Sequence, residues 1–106
     1  MAEEQVPSEE ELRKALEQVG VADVLLGALT TVVSLGFHRV SAESRDLEQA
    51  RVAIEALRVL EPVLREGGVE ESVVRDLEQA RANLQLAYAK AVADTANAPS
   101  GGPDES

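Results

Sequence analysis

The chain contains no cysteine. Disulfides and thiolate metal ligands are therefore excluded. Aromatic residues make up 2% of it, which is Phe37 and Tyr88 alone. Its core must be aliphatic, built from Val, Leu, Ile and Ala. With few large rings to bury, pooling two such cores in an oligomer is favourable. There is one histidine, His38. No His-x-x-x-His or Glu-x-x-His spacing accompanies it, so no histidine-based metal site is indicated. The expectation for His38 is a helix-end residue near terminal carbonyls.

Basic residues are also scarce. Ten Lys and Arg stand against 20 Asp and Glu, a formal net charge of −10. No Lys/Arg run is long enough to make a basic face. Direct binding to nucleic acid or to an anionic membrane surface is therefore not expected. No glycine-rich phosphate loop is present. Gly67-Gly68 is followed by Val69 and two glutamates, which repel phosphate. Paired carboxylates occur at Glu9-Glu10-Glu11 and at Glu70-Glu71. Acid–base catalysis needs two carboxyls in a cleft with separated pKa values, whereas these acids open helices, where capping and solvation account for them. The N-terminus, MAEEQVPSEEE, has no basic n-region and no apolar h-region. It does not read as a secretory signal, and a cytoplasmic location is the expectation.

What the chain does have is one long run without charge. Val24 to Phe37, VLLGALTTVVSLGF, holds 14 uncharged residues. A membrane span needs about 20 apolar residues. This run is bounded by Asp23 and by His38-Arg39, contains Thr30, Thr31 and Ser34, and lacks aromatic anchors and flanking basic clusters. It reads as a buried helix at a homodimer seam, not as a membrane span. At 100° per residue, Ala22, Leu25, Leu26, Leu29, Val32, Val33 and Phe37 share one apolar face. Asp23, Gly27, Thr30, Thr31 and Ser34 lie opposite, where hydroxyls can bond back to carbonyls four residues earlier. The expected seam is Leu25, Leu29, Val32, Val33 and Phe37, with the small-residue side at Gly27 and Ser34 as the alternative.

At 106 residues there is room for one small domain, marginal as a monomer. Residues 1–7 read as a polar lead, 8–94 as the folded domain, and 95–106, TANAPSGGPDES, as a tail of disordered composition. Ser8 and Glu11 form a capping box that opens a short helix with Leu12, Leu16 and Val19 on one side and Gly20 as its stop. A second helix spans Val21 to His38. Ser41 to Ser44 reads as a turn in which either serine caps a third helix. That helix carries Leu47, Ala50, Ile54, Leu57, Leu60 and Leu64. Pro62 predicts a kink or stop near Leu60. A fourth helix begins at Glu70-Glu71 and carries Val73, Leu77, Ala80, Leu84, Ala87 and Ala91, with Tyr88 packing its ring on a neighbour. The heptapeptide RDLEQAR occurs at Arg45–Arg51 and again at Arg75–Arg81. Two helices meeting the same surface pattern explain it. It suggests an antiparallel hairpin across Gly67-Gly68.

Read in order, the segments ADVLLGALTTVVSLGFHRV, DLEQARVAIEALRVLEPVL and VRDLEQARANLQLAYAKAV resemble the DUF1844 family of small helical bacterial proteins of unassigned function. The matching residues are Asp46-Leu47-Glu48, Ala50-Arg51, Ile54, Leu57 and Leu84-Gln85-Leu86-Ala87-Tyr88. The likeness covers roughly Val21 to Ala93. Tyr88 stands where similar members carry the phenylalanine of an LQLAF ending. The resemblance implies a helical fold and supplies no catalytic residue or ligand.

The sequence therefore predicts an all-α bundle of three main helices plus a short N-terminal one, dimeric through the second helix. It predicts a non-enzymatic interaction or scaffold protein with no cofactor, which binds itself and a protein partner of unknown identity. A small-molecule-binding or membrane-associated helical regulator is the alternative. If the seam is placed correctly, Leu29→Asp dissociates or unfolds the protein. Retention of native mass in sedimentation and of the melting temperature would count against it.

Overall fold

The computed structural model describes residues 8–97, and all of its regular structure is helical. Helix α1 (Glu9–Glu17) opens on the expected capping box. The Ser8 hydroxyl accepts from the Glu11 N–H at 3.1 Å, and the Glu11 carboxylate accepts from the Ser8 N–H at 3.1 Å. Three acids in its first turn face the positive end of the helix dipole. α1 buries none of its residues. The bundle proper consists of α2 (Val21–Val40), α3 (Leu47–Glu66) and α4 (Glu71–Asn97), each packed against the other two.

The turn after α2 differs from expectation in its capping. Ser41 closes α2, donating its hydroxyl to the His38 carbonyl at 2.7 Å. A 3₁₀ turn follows at Ala42–Ser44. The N-cap of α3 is Asp46, whose carboxylate accepts from the Gln49 N–H at 3.3 Å. Neither serine caps α3, because Asp46 lies three residues before Gln49, where a carboxylate reaches the free N–H groups.

Pro62 does not stop α3, which continues to Glu66. The pyrrolidine removes one N–H from the helix ladder. Pro62 is exposed, so the carbonyl that loses its partner lies on the solvent side of the helix. Leu64, two residues further along, is completely buried, and that burial holds the last turn in place. The helix then ends in a Schellman motif. The Val69 N–H donates to the Leu64 carbonyl at 3.1 Å and the Gly68 N–H to that of Arg65 at 3.2 Å. Gly68 has φ +90°, a conformation that needs glycine. The connection brings α4 back antiparallel to α3. α4 runs to Asn97, three residues into the stretch read as a tail, since Thr95, Ala96 and Asn97 include no helix breaker. The expectations for residues 1–7 and 98–106 lie outside the described residues.

Leu29, Leu57, Leu64, Val74 and Leu84 are the largest fully buried side chains. Val74 takes the central position expected for Val73, which is half-buried. Small residues bring the helices close. Gly36 of α2 is buried, and a Cβ built on it would lie 2.6 Å from Leu84 Cδ2 and 3.1 Å from Ala53 Cβ. Gly27, on the outer side of the same helix, meets nothing within 4 Å. The two glycines should therefore respond oppositely. Gly36→Val overpacks the crossing and should cost about 1–3 kcal/mol. Gly27→Ala should gain about 0.5–1 kcal/mol of helix stability. Thermal or urea unfolding of both variants checks the signs.

Candidate interaction surface

The structure divides the expected seam residues. Leu29 is 2% exposed, sealed inside the chain's own core. Leu25, Val32 and Val33 are half-buried against that core. Phe37 lies at the margin of the buried face, 37% exposed. The centre of this face, at Leu29, is turned toward α3 and α4 and does not stand open to a second copy, while Leu25 and Val32 at its edge keep part of their surface exposed. The reason is the strength of the partner stripes, since α3 and α4 each bring an aliphatic row that covers one side of α2. Leu29→Asp consequently reports on folding of the monomer.

The rest of α2 is not covered. The helix is 20 residues long, and only 11% of its apolar window is buried in the bundle. Gly27, Thr30, Thr31 and Ser34 are exposed. The Thr30 and Thr31 hydroxyls donate to the carbonyls of Leu26 and Gly27, at 2.9 and 3.3 Å, so they present little free polarity. Val21, Val24 and Leu35 also point outward.

α3 carries a second apolar row that the sequence reading missed. Its inner row is Ala50, Ile54, Leu57 and Leu64. Beside it, Val52, Val59 and Val63 are exposed, with the half-buried Ala56 between them. The signal was present as a spacing of four, three and four residues, adjacent to the stronger inner row. At one end a shallow groove joins this row to Val32, Leu35 and Gly36 of α2 through Val52 and Ala53. At the other end Val63 adjoins Val21 and Leu25. The α2–α3 pair thus shows one continuous aliphatic face to solvent.

The border of that face is charged but balanced. Arg51 pairs with Glu48 at 3.1 Å and Arg58 with Glu55 at 2.7 Å. The hydrogen bond and charge of Arg58 hold the Glu55 carboxyl below its ordinary range. Arg65 grips Glu71 through two hydrogen bonds of 2.9 and 3.0 Å and Glu78 through one of 3.0 Å, tying α3 to α4. Its hydrogen bonds likewise hold the Glu71 carboxyl low. Glu71 is more acidic folded than unfolded. Its contribution is therefore present above the ordinary carboxylate range and is lost as pH falls through the folded value.

Glu61 and Arg81 form the one buried ion pair among the described residues. Glu61 is 2% exposed, and Arg81 Nε donates to both of its oxygens, at 3.0 and 2.9 Å. The sequence reading passed over both. Glu61 sits between Leu57 and Leu64 on the inner row of α3, and Arg81 between Leu77 and Leu84 on that of α4. Opposite charges on two facing apolar rows are the signal that would have found them. The repeated heptapeptide therefore ends in two different arginines, Arg51 on the surface and Arg81 between helices.

No group of three His, Asp or Glu side chains able to hold a metal ion occurs among the described residues. His38 is exposed at the end of α2, and its carbonyl accepts from Ser41. Glu9, Glu10 and Glu11 line the first turn of α1 and Glu70-Glu71 the start of α4. Tyr88 is half-buried with its ring against the core. No family model, curated protein or solved structure matches the chain.

The buried pair makes a direct prediction. Arg81→Met strands a buried carboxylate and should cost about 3 kcal/mol, the low end for such pairs because Arg81 keeps 23% side-chain exposure. Glu61→Leu combined with Arg81→Met should recover most of that loss. Chemical denaturation of the two single variants and the double variant measures the coupling.

Proposed function

We propose that the protein is a non-enzymatic helical interaction module that associates with itself and presents an aliphatic face for binding. The observation supporting this reading is the continuous apolar surface of α2 and α3. Its centre holds no convergent polar groups of the kind that position a small substrate. Exposed apolar surfaces of this kind mark protein or membrane contacts. A cytoplasmic location is part of the same proposal. The resemblance to the DUF1844 family belongs to the same proposal and adds no chemistry to it.

Membrane association is the second reading. It is favoured by one observation: α2 is long and apolar enough to cross a bilayer, yet most of it lies outside the core. Against it, α2 supplies Leu29, Gly36 and Val40 to the bundle interior. A span would have to give up that packing. Sedimentation over a wide concentration range separates the two. Self-association gives a mass of at least twice 11.3 kDa in detergent-free buffer, with no flotation on zwitterionic vesicles. A monomer that floats with the vesicles rejects the interaction module in favour of the membrane reading.

A further inference from the structure

The outer row of α3 reads the same from either end. Val52, Ala56, Val59 and Val63 are separated by four, three and four residues. Laid antiparallel on itself, this row sets Val52 against Val63 and Ala56 against Val59, with the symmetry axis level with Leu57 and Arg58. That is the self-complementarity a two-fold interface requires, where the same residues serve both partners. Opposed helix dipoles favour this orientation over the parallel one. We propose that a second copy of this chain seats here, α3 against α3 antiparallel, with the outer row of α2 widening the contact on each side. The proposal rests on the self-association reading above and adds the face, the orientation and the register.

The available area fits this occupant. Val21, Val24, Leu35, Val52, Val59 and Val63 are 47–84% exposed. At the roughly 60–120 Å² that separates a buried from an exposed aliphatic side chain, they offer about 220–440 Å² per copy. A stable interface buries about 800 Å² per partner, a little over half of it apolar. Half-buried Leu25, Val32 and Leu60 along the groove supply the remainder. The border suits a second copy as well. Glu48 and Glu55 are already neutralised by Arg51 and Arg58, so an approaching copy does not meet unpaired carboxylates there. The chain as a whole carries −10, and two copies repel at long range. Salt screens that repulsion beyond about 8 Å at physiological ionic strength, so added salt strengthens this association. It would weaken the docking of a basic partner.

Three measurements test the seam. Wild type should sediment as a dimer whose dissociation constant falls as salt is added. Val59→Glu places two carboxylates in the seam of each dimer and should raise that constant roughly a hundredfold or more. Helical circular dichroism verifies its fold, which should persist because Val59 is 54% exposed in the single chain. Thr30→Glu, about 120° round α2 from Val24, should leave the dimer intact. Because the chain has no native cysteine, introduced thiols report alone. Val52→Cys mixed with Val63→Cys should couple through a short cross-linker. Val52→Cys alone should not, since its two copies would lie ~16 Å apart along the helices. A wild type of single-copy mass at every concentration ends both the self-association reading and the seam. A dimer that survives Val59→Glu but dissociates with Thr30→Glu keeps self-association and moves it to the small-residue side. Cross-linking of Val52→Cys to itself, or dissociation by salt, overturns the antiparallel apolar seam.

Discussion

Close approach of three helices through small residues is the constraint on which the rest of the structure depends. With Phe37 at the margin and Tyr88 half-buried, no ring fills the centre. Leucines and valines fill a wide gap poorly, so the helix axes must come together. Gly36, Ala50, Ala53 and Ala91 are buried where this happens, and Leu84 reaches across to Gly36. Interiors are packed to crystal-like density. The crossing therefore tolerates little added volume.

That geometry also explains why α2 is half core and half surface. Three helices in mutual contact each turn only a limited arc inward. On α3 most of the remaining arc carries charges, several of them in ion pairs, and on α4 it is chiefly polar or small, with Leu86 as an isolated exposed leucine. On α2 the remaining arc has no charge from Val24 to Phe37, and on α3 one strip beside the α2 groove is aliphatic. The two strips adjoin because the helices that bear them pack side by side. The apolar face is thus a property of the α2–α3 pair and belongs to neither helix alone.

Much of this was legible in the chain itself. The inner rows of α3 and α4, the Ser8–Glu11 box, the Gly67-Gly68 reversal and the helical character of the uncharged run all follow from local periodicity and capping chemistry. What was not legible depended on which neighbour wins. Pro62 predicts a kink or stop near Leu60, but α3 continues to Glu66, because burial of Leu64 two residues later outweighs one missing hydrogen bond on the solvent side. The uncharged run reads as a seam centred on Leu29, yet α3 and α4 bury Leu29 within the single chain. Glu61 and Arg81 look like ordinary surface residues until their helices are laid against each other. The outer row of α3 was overshadowed by the stronger row beside it.

The small helix α1 stands outside this economy of packing. Its capping box and acidic first turn hold it helical locally, while Leu12, Leu16 and Val19 remain 49–64% exposed and none of its residues enters the core. Gln18 to Gly20 joins it to the bundle with no tertiary contact that the core needs. A cut by a protease in that joint would detach an appendage and leave the interior unbreached. Variation in α1 can therefore accumulate without disturbing the three helices behind it, so the same bundle can be refitted with a different arm.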